Sequence, residues 1–143
     1  MRLIIAGSRT LNDTALVAAL IETSVFFREP DMKPTTIVCG GAKGVDQIAA
    51  RWCQATHSTA TNLFLPDWDG QGKSAGYKRN ETMADNADAL LAIWDGVSKG
   101  TEHMINIARA KGLEVQVIMC RTYHHNQGAY LSSIVNGAGK VDA

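Results

Sequence analysis

Short apolar runs alternate with longer amphipathic segments along the whole chain, and the alternation predicts the elements. Arg2–Gly7 (RLIIAG), Thr35–Gly41 (TTIVCGG), Thr61–Pro66 (TNLFLP), Ala89–Gly96 (ALLAIWDG) and Leu113–Cys120 (LEVQVIMC) read as strands. Their apolar positions are nearly continuous, as expected of strands covered on both faces. Helical patterns fill the intervals. Asn12 or Asp13 is placed to cap a helix through DTALVAALIETSVFF; others are expected over Val45–Thr56, Arg79–Asn86 and Thr101–Lys111, the last stopped by Gly112. Alternation of this kind implies right-handed crossovers between parallel strands. The fold class is α/β: a doubly wound, mainly parallel five-stranded sheet flanked by helices. Residues 1–121 read as the domain. Residues 122–143 read as an extension rich in Gly, Ser and Asn, whose apolar patch AYLSSIV suits a short helix, a partner-binding arm or a partly disordered tail.

In an open parallel sheet, ligands bind beyond the carboxyl ends of the strands, where the strand order reverses. Three predicted strands run into small, polar or glycine-rich turns, AGSRT, CGGAKGVD and WDGVSKGTEH, and each turn leads into a helix. Helix starts present unpaired amides and the positive end of the dipole, so they favour anions. Gly7, Gly40, Gly41, Gly44, Gly96 and Gly100 allow close backbone approach, with Ala42 in the same run. Ser8, Ser98 and Thr101 offer hydroxyls, and Arg9, Lys43 and Lys99 offer charge. Each turn alone is equally well explained by geometry. Three converging on one edge point to a phosphate-bearing ligand.

Two motifs are ruled out. Strand one is not followed by G-x-G-x-x-G, which argues against a standard NAD-dependent dehydrogenase. Gly72-Lys73-Ser74 mimics the end of a Walker loop, but Asp67 sits where that loop needs its first glycine, putting a carboxylate beside the phosphates. Lys73 is then either charge at a site rim or a solvated side chain.

Composition narrows the classes further. The formal net charge is zero and aromatic residues are 6% of the chain, a poor footprint for nucleic acid, and no apolar run approaches a membrane span. Cys39, Cys53 and Cys120 lack metal spacing, and reduced thiols in a cytoplasmic setting are the expectation. Cys39 reads as a small buried residue. Trp52 and Trp68 read as packing, while Trp94 at a strand end is a candidate to lie beside a base. His103 reads as a helix-surface residue, and the adjacent His124 and His125 face apart, a poor metal site. No metal or other cofactor is called for.

The segments IIAGSRT, CGGAKGVD, DWDGQGKSAGYKRNETMADNADALLAIWDG and SKGTEHMINIARAKG, in this order from Arg2 to Met119, resemble the YspA-like family of small SLOG-domain proteins. The wider superfamily includes the LOG phosphoribohydrolases, DNA-processing proteins and sensors of nucleotide-derived signals. The resemblance implies a Rossmann-like fold, a pocket for a nucleotide or its derivative, and a homodimer or higher oligomer. It also places Arg79 and Asn80 in an arginine-bearing helix segment, where the guanidinium grips a phosphate. The alternative is a surface arginine paired with Glu81 or Asp85.

The phosphoribohydrolase motif P-G-G-x-G-T-x-x-E is matched at Gly100 and Thr101, but Met104 stands at the glutamate and Trp94-Asp95 replaces Pro-Gly. A thioether cannot act as a carboxylate does. Glu102 is two residues away, on another side of a helix. If the protein is a nucleotide-processing hydrolase, the remaining weak candidates are Asp46, Asp95 and Glu102. Asp46 equally suits a helix cap, and Asp95 equally suits a bond to its own turn.

Overall fold

The computed structural model describes residues 1–122 and 130–133, with side chains as far as Arg121. Its strands are β1 (Arg2–Gly7), β2 (Thr36–Cys39), β3 (Ala60–Leu63), β4 (Ala89–Trp94), β5 (Glu114–Thr122) and β6 (Tyr130–Ser133). They form one sheet in the order β3-β2-β1-β4-β5-β6. The first five are mutually parallel, as the alternation predicts, and the fold is Rossmann-like α/β. The sixth strand is an addition. Tyr130–Ser133 pairs antiparallel with β5, so these residues are a strand and not the short helix their apolar patch also allowed. An outer strand otherwise leaves a row of unpaired amides and carbonyls, and β6 satisfies them. His124 and His125 lie outside the described residues.

The helices are α1 (Thr14–Thr23), α2 (Val25–Arg28), α3 (Val45–His57), α4 (Trp68–Gln71), α5 (Ala75–Asp85) and α6 (Lys99–Ala110), with 3₁₀ turns at Pro30–Met32 and Gly72–Ser74. Asp13 caps α1, accepting from the Leu16 amide at 3.0 Å. The single helix expected through Phe27 breaks at Ser24, whose hydroxyl and amide both donate to the Ile21 carbonyl, at 2.7 and 3.1 Å. This local bond competes with the next helical turn. Gly112 ends α6 as predicted: it has φ +80°, its amide donates to Arg109, and that of Leu113 reaches back to Ala108, each at 3.0 Å.

Period-two alternation divides the core. Leu3 and Ile5 pack on one face with Val17, Leu20, Ile21, Phe26, Val45, Ala49 and Cys53. Ile4 and Ala6 pack on the other with Met83, Ala84, Met104, Ile105 and Ala108. The expectation of burial on both faces fails for β3, whose four residues are all exposed at the sheet edge. The three cysteines are free and buried. Among the described residues no helix is long and apolar enough to cross a membrane. Strand order reverses between β1 and β4, and the crevice above their carboxyl ends is where such sheets take ligands.

Candidate functional site

That crevice is a cleft of about 420 Å³, within the size range of small-molecule sites. Ala6, Gly7, Met83 and Met104 line its base, and the β1–α1 turn contributes Arg9 and Thr10. Ala42 and Asp46 enter from the β2–α3 turn, and Ser98, Lys99, Gly100 and Thr101 from the start of α6. Arg79 and Asn80 come from α5. The segment before them supplies Trp68, Lys73, Gly76 and Tyr77. Four cations, Arg9, Lys73, Arg79 and Lys99, thus face one carboxylate, Asp46, among the described lining residues.

Arg79 does not make the surface pairs with Glu81 or Asp85. Asp85 bonds to Lys111 at 2.6 Å, while Arg79 reaches across to the Gly40 carbonyl at 2.7 Å, with a longer contact to Phe64 at 3.5 Å. Its Nε donates to Asn80 Oδ1 at 3.1 Å. Burial lowers its pKa, and Asp46 opposes that shift. Asn80 in turn donates to the Gly100 carbonyl at 3.3 Å and meets His103 Nδ1 at 3.1 Å. It is a buried tie between α5 and the start of α6.

Asp46 is buried, and its oxygens take the amides of Gly7 and Ala42, at 3.3 and 3.4 Å. Desolvation pushes its pKa up to about 6, against the pull of Arg79, the two amides and Arg9. Asp46 does not cap α3, whose N-cap is Gly44 without a side-chain bond; its carboxylate instead ties the β2–α3 turn to the end of β1 and lines the cleft. Gly44 precedes it with φ +79°, and a Cβ there would press on the Ser8 and Arg9 carbonyls at 2.5 and 2.7 Å. This glycine is needed for the chain path itself.

Other sequence candidates lie away from the cleft. Ser8 is fully buried; its hydroxyl accepts from the Asp95 amide at 3.1 Å and lies in hydrogen-bond contact with the Ser98 hydroxyl, also at 3.1 Å. Asp95 closes its own turn, accepting from the Val97 and Ser98 amides at 2.9 and 2.8 Å and from the Ser98 hydroxyl at 3.0 Å. Burial would raise its pKa, but these bonds together hold it below the usual carboxylate value. Gly40 lies under Arg79, Gly41 lies beside Leu63 and Leu65, Lys43 is exposed, and Gly96 abuts Met119 and Arg121. Glu102 pairs with Lys99 at 3.8 Å rather than entering the cleft.

One aromatic expectation holds and two are corrected. Trp52 does pack, edge-on to Phe27 and His57. Trp68 is 51% exposed on the cleft wall instead of buried in the core. Trp94 is not a cleft residue; its indole N–H donates to the Ser98 carbonyl at 3.0 Å. Tyr77, which sequence reasoning missed, is 47% exposed in the cleft and stacks on His103 with centroids 4.3 Å apart. The pattern WDGQGKSAGY holds two exposed rings and a lysine among glycines, a composition that packing does not require. Asp67 caps α4 by accepting from the Gly70 amide at 2.9 Å, so the Walker-like stretch is a cap and a 3₁₀ turn.

The family described as YspA, cpYpsA-related SLOG family matches residues 1–70. A protein of Mycobacterium phage D29 described as Gene 61 protein is 35% identical over 119 residues, covering 80% of this chain and 93% of its own length. The chain belongs to the YspA, cpYpsA-related SLOG family. No solved structure gives a significant match. Membership in this SLOG family is consistent with nucleotide-related binding. At the position of the phosphoribohydrolase glutamate, this SLOG domain has Met104 buried in the core beneath the cleft.

Proposed function

We propose that the protein binds a nucleotide or nucleotide-derived small molecule in the cleft between β1 and β4. The supporting observation is the meeting of four cations, two exposed aromatic rings and the start of α6 around one crevice. Cations and a helix start suit phosphate, and exposed rings suit a base. Calorimetry with nucleoside monophosphates, dinucleotides, cyclic nucleotides and ADP-ribose tests the reading. Folded protein that gives no binding heat with any of them removes it. Assembly into a homodimer or higher oligomer is part of the same reading; the exposed Leu63 at the end of edge strand β3 and Leu65 just after it support it, and light scattering tests it.

A second reading, hydrolysis of the bound nucleotide, is favoured by one observation. Asp46 alone of the three candidate carboxylates lines the cleft, with a pKa near 6 suited to proton transfer. Chromatography of a nucleotide panel after incubation decides it, since product formation must disappear in Asp46→Asn.

A further inference from the structure

The glycine turns after β1 and β2 already hold an anion belonging to the protein. Asp46 Oδ1 and Oδ2 take the Gly7 and Ala42 amides, and the residue is only 5% exposed. A phosphate set against those amides would also lie against a carboxylate, and like charges repel more strongly in a crevice than in water. The start of α6 offers the opposite environment. Thr101 is 6% exposed and faces the cleft, and its hydroxyl has no hydrogen-bond partner among the described residues. A Cβ built on Gly100 meets nothing within 4 Å. The protein leaves that space open in the first turn of a 12-residue helix, where glycine weakens the helix.

Resting on the nucleotide reading of the cleft, we propose a division of labour within it. The ligand's phosphate docks at the α6 start on Gly100, Thr101 and Lys99, and Asp46 is the specificity residue that accepts hydrogen bonds from neutral donors of the ligand. Each Asp46 oxygen keeps acceptor capacity after its amide bond. Arg79 and Arg9 favour the charged form of Asp46 from α5 and the β1–α1 turn, and the Cys39 thiol at the end of β2 is also close enough to interact with it. The donors that suit it are a vicinal hydroxyl pair of a sugar or an exocyclic amine of a base. A phosphate on those hydroxyls would set charge against charge and be rejected.

The test follows amide chemical shifts of isotope-labelled full-length protein as inorganic pyrophosphate is added. Affinities of AMP, 2′-deoxy-AMP and IMP are then measured on the wild type and on Asp46→Asn. Pyrophosphate should move the Gly100 and Thr101 amides and leave Gly7 and Ala42 unmoved, and Thr101→Val should weaken it several-fold. AMP should bind about tenfold tighter than 2′-deoxy-AMP if the donors are hydroxyls, or than IMP if the donor is the amine, the loss expected for one hydrogen bond to a charged group. Asp46→Asn should shrink that preference to less than about threefold, because its amide retains a single acceptor oxygen. Shifts confined to Gly7 and Ala42 overturn the placement of the phosphate. Equal wild-type affinities, which need no variant to fold, or a preference that survives Asp46→Asn, overturn the selecting role. If no nucleotide binds while pyrophosphate still moves α6, the nucleotide reading and the selecting role fail together and the anion subsite stands.

Discussion

The Arg79 guanidinium occupies the space that a side chain at position 40 would need. Its Nη1 donates to the Gly40 carbonyl at 2.7 Å, and a Cβ built on Gly40 would collide with that nitrogen. The glycine at the end of β2 thus permits a cation from α5 to cross the sheet edge and reach the cleft. The missing side chain leaves the room in which the guanidinium sits.

Gly40→Ala should therefore separate folding from binding. The new methyl presses on the end of a flexible side chain, so stability should fall by less than about 1 kcal/mol. Displaced from its seat, Arg79 should no longer favour the charged, hydrogen-bond-accepting form of Asp46, weakening nucleotide binding several-fold. Thermal denaturation and calorimetry read the two effects.

Asp46 sets a pH dependence of stability. Its folded pKa, near 6, lies above the ordinary value of 3.8, so the folded state binds the proton more tightly than the unfolded chain. The resulting stabilisation is complete below pH 3.8 and is lost as pH rises through 6. Asp46→Asn removes this dependence, and the variant should gain on the order of 2–3 kcal/mol relative to wild type between pH 4 and pH 8. Urea denaturation at the two pH values checks it; a constant difference between the proteins would refute the assignment.

Gly100 sits in the first turn of α6 with open space where a Cβ would be. Gly100→Ala should stabilise the fold by up to about 1 kcal/mol through helix propensity. If a ligand uses that space, the same change should weaken binding. A variant with a higher Tm and unchanged nucleotide affinity would place the ligand elsewhere.

Trp68 and Tyr77 are both about half exposed on the cleft wall. Truncation to Ala at either position should leave stability within about 0.5 kcal/mol. Loss of base stacking should cost about 1–3 kcal/mol of nucleotide binding at whichever ring carries it. Nucleotide titration should also quench Trp68 fluorescence, and Trp68→Phe should abolish that change while retaining part of the affinity.

Asp95 should behave in the opposite way to Asp46. Its carboxylate holds the Val97 and Ser98 amides of its own turn, and the bonds lower its pKa. Asp95→Ala should cost about 1–2 kcal/mol, as the loss of a comparable cap does. This contribution is present at neutral pH and fades as acid protonates the group below pH 3.8. Denaturation curves at pH 7 and pH 3 measure it.

The strands β1, β4 and β5 are legible because apolar residues on both faces must be covered on both sides. The alternating faces at Leu3, Ile4 and Ile5 require helices on each side of the sheet. Asp13 and Gly112 announce helix ends by local chemistry, the first through its side-chain bond and the second through its positive φ. The break at Ser24 was hidden because a serine inside an apolar pattern does not reveal which acceptor it will choose.

The primary structure alone settled the α/β class, the parallel strands and the turns that crown them, because burial periodicity and end signals are properties of neighbouring residues. Tertiary structure alone decided which polar groups meet. Gly7 and Asp46 are separated by 39 positions and Ser8 and Asp95 by 87, yet each pair shares a hydrogen bond. It also turned Ser8 and Asp95 inward to each other, and set Trp68 and Tyr77 on the cleft wall. Such partners depend on the lateral order of strands and the path of long connections, which periodicity does not encode.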